Sequence, residues 1–200
     1  MFIDLFPTTL FKKSLKEISS QELNSYIEFV LNTSKAEPEK NPHGFSTLNQ
    51  NLLTVNIFSK LEEYILINSR IYIESLGYKG FDIQISTSWG NVLSKNQNIP
   101  SHSHANSFIS GVFYPQDSSP LTFESPTKKE WIFKTEKELD TQNFRTWEDY
   151  HFYPKTRDLL LFPSFVNHGV THNMIDDRVS IAFNIIPKGE FGGFTSKIYF

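Results

Sequence analysis

The stretch Phe81-Asp82-Ile83-Gln84-Ile85-Ser86-Thr87-Ser88 sets the fold class. Phe81, Ile83, Ile85 and Thr87 alternate with Asp82, Gln84, Ser86 and Ser88. A period of two is that of a strand with one face in the core. This strand ends in Trp89-Gly90-Asn91-Val92. Strand-like runs recur at 108–114, 121–123, 131–134, 158–162 and 179–186, separated by turn signals at Pro100, Pro115-Gln116-Asp117, Pro120, Pro126 and Pro187. Upstream of Gly80 the pattern is helical instead. Ser19-Ser20-Gln21-Glu22 has the form of a capping box, and Leu23, Tyr26, Ile27, Val30 and Leu31 follow at helical spacing. A polar, Pro-flanked segment at 38–42 predicts a loop. A second helix is expected over 59–76, with Leu61, Tyr64, Ile65, Asn68, Ile71, Tyr72 and Ser75 on one face and Gly77 as its C-terminal cap. About seven short strands behind two helices predict a mainly β protein with N-terminal helices (α+β): a jelly-roll or sandwich with the two helices packed on one face. With no linker and no internal repeat, residues 1–200 are expected to form a single domain, helical over about 1–79 and β over about 80–187.

Composition agrees and narrows the function classes. Nineteen Phe, ten Pro and nine Gly suit a β-rich core with many turns. The net charge of −3 is spread along the chain, so there is no clear nucleic-acid signal. Without cysteine, disulfides and thiolate metal sites are excluded, and any metal must be held by His, Asp or Glu. This fits a reducing cytoplasm. Met1-Phe2-Ile3-Asp4-Leu5-Phe6-Pro7 lacks a basic start, so no signal peptide is expected, and no apolar run is long enough to span a membrane.

Of six histidines, two cluster in Ile99-Pro100-Ser101-His102-Ser103-His104. Residues i and i+2 of an extended segment point to the same side, so His102 and His104 can face one centre. The competing account is a polar loop with solvated imidazoles. A third histidine, His168, follows the apolar run Asp158-Leu159-Leu160-Leu161-Phe162 and the turn Pro163-Ser164-Phe165. Ten residues later Arg178 and Ser180 share a strand face. An arginine fork binds a carboxylate bidentately and a serine hydroxyl adds a donor. A metal ligand with a carboxylate clamp on the next strand is what 2-oxoglutarate needs. The plainer role for Arg178 is a surface salt bridge with Asp176 or Asp177.

Four separated motifs occur in order: Trp89-Gly90-Asn91; His102-Ser103-His104 with Ser107, Ser110, Gly111 and Tyr114; Phe162-Pro163-Ser164 before His168; and Arg178-Val179-Ser180 with Phe183-Asn184. In these, residues 80–187 resemble the 2-oxoglutarate and iron(II)-dependent oxygenases, and specifically a small branch found in bacteria and marine phages. The resemblance implies a double-stranded β-helix. It also implies Fe(II) and 2-oxoglutarate as cofactors, O₂ as co-substrate, and hydroxylation of an unidentified primary substrate with release of succinate and CO₂. Carried over, His102 takes the first ligand position, His104 the position of the usual carboxylate, His168 the distal position, and Arg178 with Ser180 the clamp. Asn91, Asn184 and Tyr114 become candidates for binding 2-oxoglutarate or orienting a ligand.

The chain departs from the family pattern where a carboxylate should stand. Three accounts stay open: three imidazole ligands; a shifted register with His104 first and Asn106 at the carboxylate position; or His102 and His168 alone. Three histidines also suit a rival class, a cupin-type metal protein or dioxygenase that does not use 2-oxoglutarate. His172 has a small chance of touching metal, and His43 and His151 are expected in loops. The aromatic-rich segment 126–154, with Trp131, Phe133, Phe144, Trp147 and Tyr150, is a candidate substrate lid or homodimer contact.

Overall fold

The computed structural model describes residues 6–33, 44–127 and 148–199. Four sequence readings lie outside these residues: the loop at 38–42, the 131–134 strand, the loop position of His43, and most of the aromatic segment (Trp131, Phe133, Phe144 and Trp147).

The chain begins with β1 (Phe11–Ser14) and α1 (Ser20–Asn32). The expected capping box is present: Glu22 N–H donates to Ser19 Oγ at 3.2 Å, and Ser19 N–H to Glu22 Oε2 at 2.7 Å. Next come β2 (Phe45–Ser46), two short 3₁₀ turns at 52–54 and 56–58, and α2 (Ser59–Ser75). Beyond α2, Gly77 takes φ +90°, the left-handed conformation that suits a glycine after a helix. The rest is β: β3 (Asp82–Leu93), β4 (Ile99–His102), β5 (Ile109–Phe113), β6 (Leu121–Glu124), β7 (Asp149–Phe152), β8 (Asp158–Pro163), β9 (His168–Val170), β10 (Arg178–Lys188), β11 (Glu190–Phe191) and β12 (Ile198–Tyr199).

Six strands form one antiparallel sheet in the order β1-β8-β5-β10-β3-β2, and four form another in the order β4-β9-β6-β7. The larger sheet is covered on both faces, which explains the unbroken apolar run of β8. Leu159 and Leu161 join a core with Leu23, Tyr26, Val30, Leu61 and Ile65 of the helices. Leu160 and Phe162 join a second core with Leu121, Phe123 and Val170 of the smaller sheet. The same alternation divides β10. Val179, Ile181, Phe183 and Ile185 meet the helix-side core, while Ala182 enters the core between the sheets and Arg178 and Ser180 line a cavity there. One face of the sheet thus serves stability and the other carries the site.

Two helices on one face of a jelly-roll is the architecture expected, with corrections in detail. The N-terminal part is not wholly helical: β1 pairs with β8, and β2 with β3. Ile71 is not on the buried face of α2 but 52% exposed. Asn68, Ser69, Tyr72 and Ile73 are the buried residues of that helix's second half. His151 lies in a strand, β7, where its Nδ1 is 2.9 Å from Thr122 Oγ1. Among the described residues no helix is long and apolar enough to cross a membrane.

Candidate metal centre

β4 and β9 pair antiparallel with His102 opposite His168, which places two imidazoles side by side at the open end of the sandwich. This close approach needs Gly169, where a Cβ would lie 2.6 Å from the Ile99 carbonyl oxygen. His104 follows two residues after His102, anchored by its N–H to the Ser164 carbonyl at 3.0 Å. Ring centroids are 4.6 Å apart for His102 and His168, 5.0 Å for His102 and His104, and 5.1 Å for His104 and His168. One ring nitrogen from each lies within 4.8 Å of the others.

Backbone carbonyls orient two of the rings. His102 Nδ1 is 2.8 Å from Pro100 O and His168 Nδ1 is 2.9 Å from Val166 O. A carbonyl only accepts, so Nδ1 carries a proton in both rings and Nε2 is the nitrogen left to face a metal. His104 has no such carbonyl and instead packs its ring 5.6 Å from Trp89. Burial, with His102 nearby, lowers the His104 pKa to about 4. Burial lowers that of His168 to about 3, more than its bond to Val166 O raises it. Both rings are therefore neutral donors at neutral pH.

The three imidazoles open onto a cavity of about 200 Å³ that runs between the sheets to Arg178. Arg178 is 1% exposed, so the competing account, a surface salt bridge with Asp176 or Asp177, is not found among the described residues. Its Nε donates to Ser118 Oγ at 2.6 Å, one Nη lies 3.4 Å from Ser180 Oγ, and the guanidinium sits 5.7 Å from the centre of the Tyr114 ring. No carboxylate pairs with it among the described residues, and burial pulls its pKa below the usual arginine value. The Tyr114 hydroxyl is buried beside this guanidinium with no other hydrogen-bond partner among the described residues, and burial raises its pKa to about 12. A buried cation and a buried hydroxyl facing one cavity are a carboxylate site in chemical terms, because burial without an anion costs both groups their hydration.

The other sequence candidates divide. Asn91 lines the cavity, and its Oδ1 accepts from Ser46 Oγ at 3.0 Å and Trp89 Nε1 at 3.1 Å. Asn184 does not reach the cavity. It is held between strands, accepting from Ser110 Oγ at 2.8 Å and donating to Thr87 Oγ1 at 3.0 Å. Through Ser110 it joins Ser164 (2.8 Å) and Ser107 (2.9 Å), so the motif serines form one buried lattice beneath the carbonyl that anchors His104. Asn106 is exposed with φ +55° and is absent from the cavity wall, so the shifted register finds no support. His172 is exposed and apart from the cluster. Sequence reasoning missed Ser118 and the cavity role of Trp89. The second was within reach, since Trp89 and Asn91 share a strand face, whereas Ser118 lies in a loop with no pattern.

Residues 87–184 match the family model described as "Putative 2OG-Fe(II) oxygenase". The chain belongs to the 2-oxoglutarate and iron(II)-dependent oxygenases. Solved structures similar to this oxygenase agree in fold. HygX from Streptomyces hygroscopicus, with nickel and 2-oxoglutarate bound, is 13% identical at a TM-score of 0.58, over 90% of this chain and 83% of that one. The non-heme alpha ketoglutarate dependent epimerase SnoN from nogalamycin biosynthesis is 8% identical at 0.66, over 93% and 82%. The viral collagen prolyl hydroxylase vCPH from Paramecium Bursaria Chlorella virus-1 is 10% identical at 0.55, over 88% and 94%. Such identities speak for the double-stranded β-helix alone. Among curated proteins none matches this oxygenase in sequence.

Proposed function

We propose that this oxygenase holds iron(II) on His102, His104 and His168, seats 2-oxoglutarate between that metal and Arg178, and hydroxylates a primary substrate. The observation that carries the proposal is the pairing, across one cavity, of three imidazoles with a buried arginine that has no carboxylate partner among the described residues. When bound, iron(II) with 2-oxoglutarate supplies O₂ activation, 2-oxoglutarate leaving as succinate and CO₂ while a substrate C–H becomes C–OH. The chain's residues bind and orient. Arg178 takes the distal carboxylate with its fork, helped by the hydroxyls of Ser180 and Tyr114. The carbonyls of Pro100 and Val166 keep two imidazoles aimed at the metal. Leu121, Phe162 and Val170 keep water from the cavity floor. The motifs further support a place in the bacterial and phage branch, the lack of a linker-like stretch supports a single domain, and the cysteine-free composition supports action in a reducing cytoplasm.

Anaerobic addition of 2-oxoglutarate to the iron(II)-loaded protein tests this. A visible metal-to-ligand charge-transfer band is expected, followed on admitting O₂ by succinate. Iron uptake without band or succinate would favour the cupin-type reading. The third imidazole favours that rival; Arg178, which the rival leaves without an anion, weighs against it.

A further inference from the structure

We propose that the cavity binds one anionic group beyond 2-oxoglutarate, at its histidine end on the side bounded by Asn91 and Trp89. The inference rests on the function proposed above. The first argument is charge. Three imidazoles carry none, so an iron(II) ion held by them keeps both its positive charges, and Arg178 adds a third. The two carboxylates of 2-oxoglutarate offset two of the three. Among the described residues no Asp or Glu lines the cavity to take the last. The buried Asp158, whose charge reaches Tyr114, is already engaged by Lys12 at 3.1 Å and the Lys155 N–H at 3.0 Å. An uncompensated charge is costly where its surroundings include the buried Arg178 and His168, and an anion drawn from solution relieves it.

The second argument is a donor. Two donors, from Ser46 and Trp89, converge on Asn91 Oδ1 and so fix which end of that amide is oxygen. The amide nitrogen has no partner among the described residues and belongs to a side chain on the cavity wall. Trp89 links this amide to the histidines: its Nε1 donates to Asn91 Oδ1 at 3.1 Å and its ring lies 5.6 Å from that of His104. A free N–H pair beside a cationic centre is an anion site. The anion comes from one of two sources: a small inorganic ion, or a carboxylate carried by the primary substrate.

The anaerobic iron(II) protein with 2-oxoglutarate is titrated with chloride and, separately, with acetate at constant ionic strength. The charge-transfer band and calorimetry are followed. A saturable, single-site response to either is expected, stronger for chloride if the source is inorganic and for acetate if it is a substrate carboxylate. His104→Asp supplies the missing negative charge and should weaken the anion at least tenfold. Asn91→Asp should do the same without touching an imidazole, which covers failure of the first variant to hold metal. No saturable response from a protein that shows the 2-oxoglutarate band, or an unchanged response in both variants, overturns the proposal. Absence of the band itself would count against the proposed function instead.

Discussion

Replacing Arg178 by methionine should leave the ligand-free stability near that of wild type and abolish the response to ligand. The guanidinium is 1% exposed, has no carboxylate partner among the described residues, and is met there by the hydroxyls of Ser118 and Ser180 and by Tyr114. Exchanging buried charges for apolar groups of similar volume is neutral to stabilising by about 1–4 kcal/mol. Leaving each serine hydroxyl without its partner costs roughly 1 kcal/mol. Without 2-oxoglutarate, Arg178→Met should therefore lie within about 2 kcal/mol of wild type, the difference of those ranges. With 2-oxoglutarate the two proteins separate. Losing one partner of a buried charge pair costs about 3–5 kcal/mol, or two to three orders of magnitude in affinity. Wild type at a hundred times its Kd gains about 2.7 kcal/mol from the ligand. For a chain of this size that is a rise of roughly 5–10 °C in Tm. At the same concentration the variant should gain nothing. Unfolding of the anaerobic iron(II) protein, with and without 2-oxoglutarate, gives both quantities. A variant strongly destabilised without ligand, yet showing the full ligand-induced shift, would refute the clamp and make Arg178 a structural residue.

His168→Ala should reduce iron(II) affinity by at least a hundredfold, measured by anaerobic calorimetry, because it removes the most buried of three ligands; unchanged binding would place the metal elsewhere. Metal-free protein should lose stability on acidification. The folded His168 and His104 have pKa values of about 3 and 4, below the unfolded value near 6.5, so the unfolded chain binds more protons between these limits. That stability is complete above about pH 6.5 and is lost as pH falls towards 3, so the urea midpoint should be lower at pH 5 than at pH 7.5; a flat profile would mean that burial does not hold these rings neutral. Gly111→Ala should destabilise by about 2–3 kcal/mol in urea unfolding. A Cβ there would fall on the Phe183 ring and 2.8 Å from the Leu160 carbonyl oxygen, in a strand clamped on both sides by β8 and β10, and a cost near zero would show that Phe183 can move aside.

Local rules made much of this molecule legible in advance. The capping box at Ser19 and the Gly77 stop depend on neighbours in sequence, and the structure bears them out; the two-residue alternation from Phe81 holds as far as Ile85, where a bulge in the pairing with β10 shifts the register and buries Ser88 instead of Thr87. The short strands β4, β7 and β9 were missed because polar residues in brief segments carry no periodic signal. They exist through pairing with distant partners, as His102 does with His168. Ile71 fits the helical pattern as well as Tyr72 does, and only the sheet beneath α2 selects the residue that is buried.

The site divides along the same line. By itself the sequence determined the residue types: three separated histidines with no cysteine and no nearby carboxylate, and an arginine and a serine on one strand face. Those are properties of order and spacing. Only the tertiary structure decided that the histidines converge within 4.8 Å, that Arg178 turns inward rather than towards Asp176 and Asp177, and that Asn184 supports the serine lattice instead of the cavity. The physical reason is that burial and convergence come from how two sheets stack and register. That is settled by packing over the whole sandwich, and a side chain's neighbours across it leave no mark on the residues beside it in the chain.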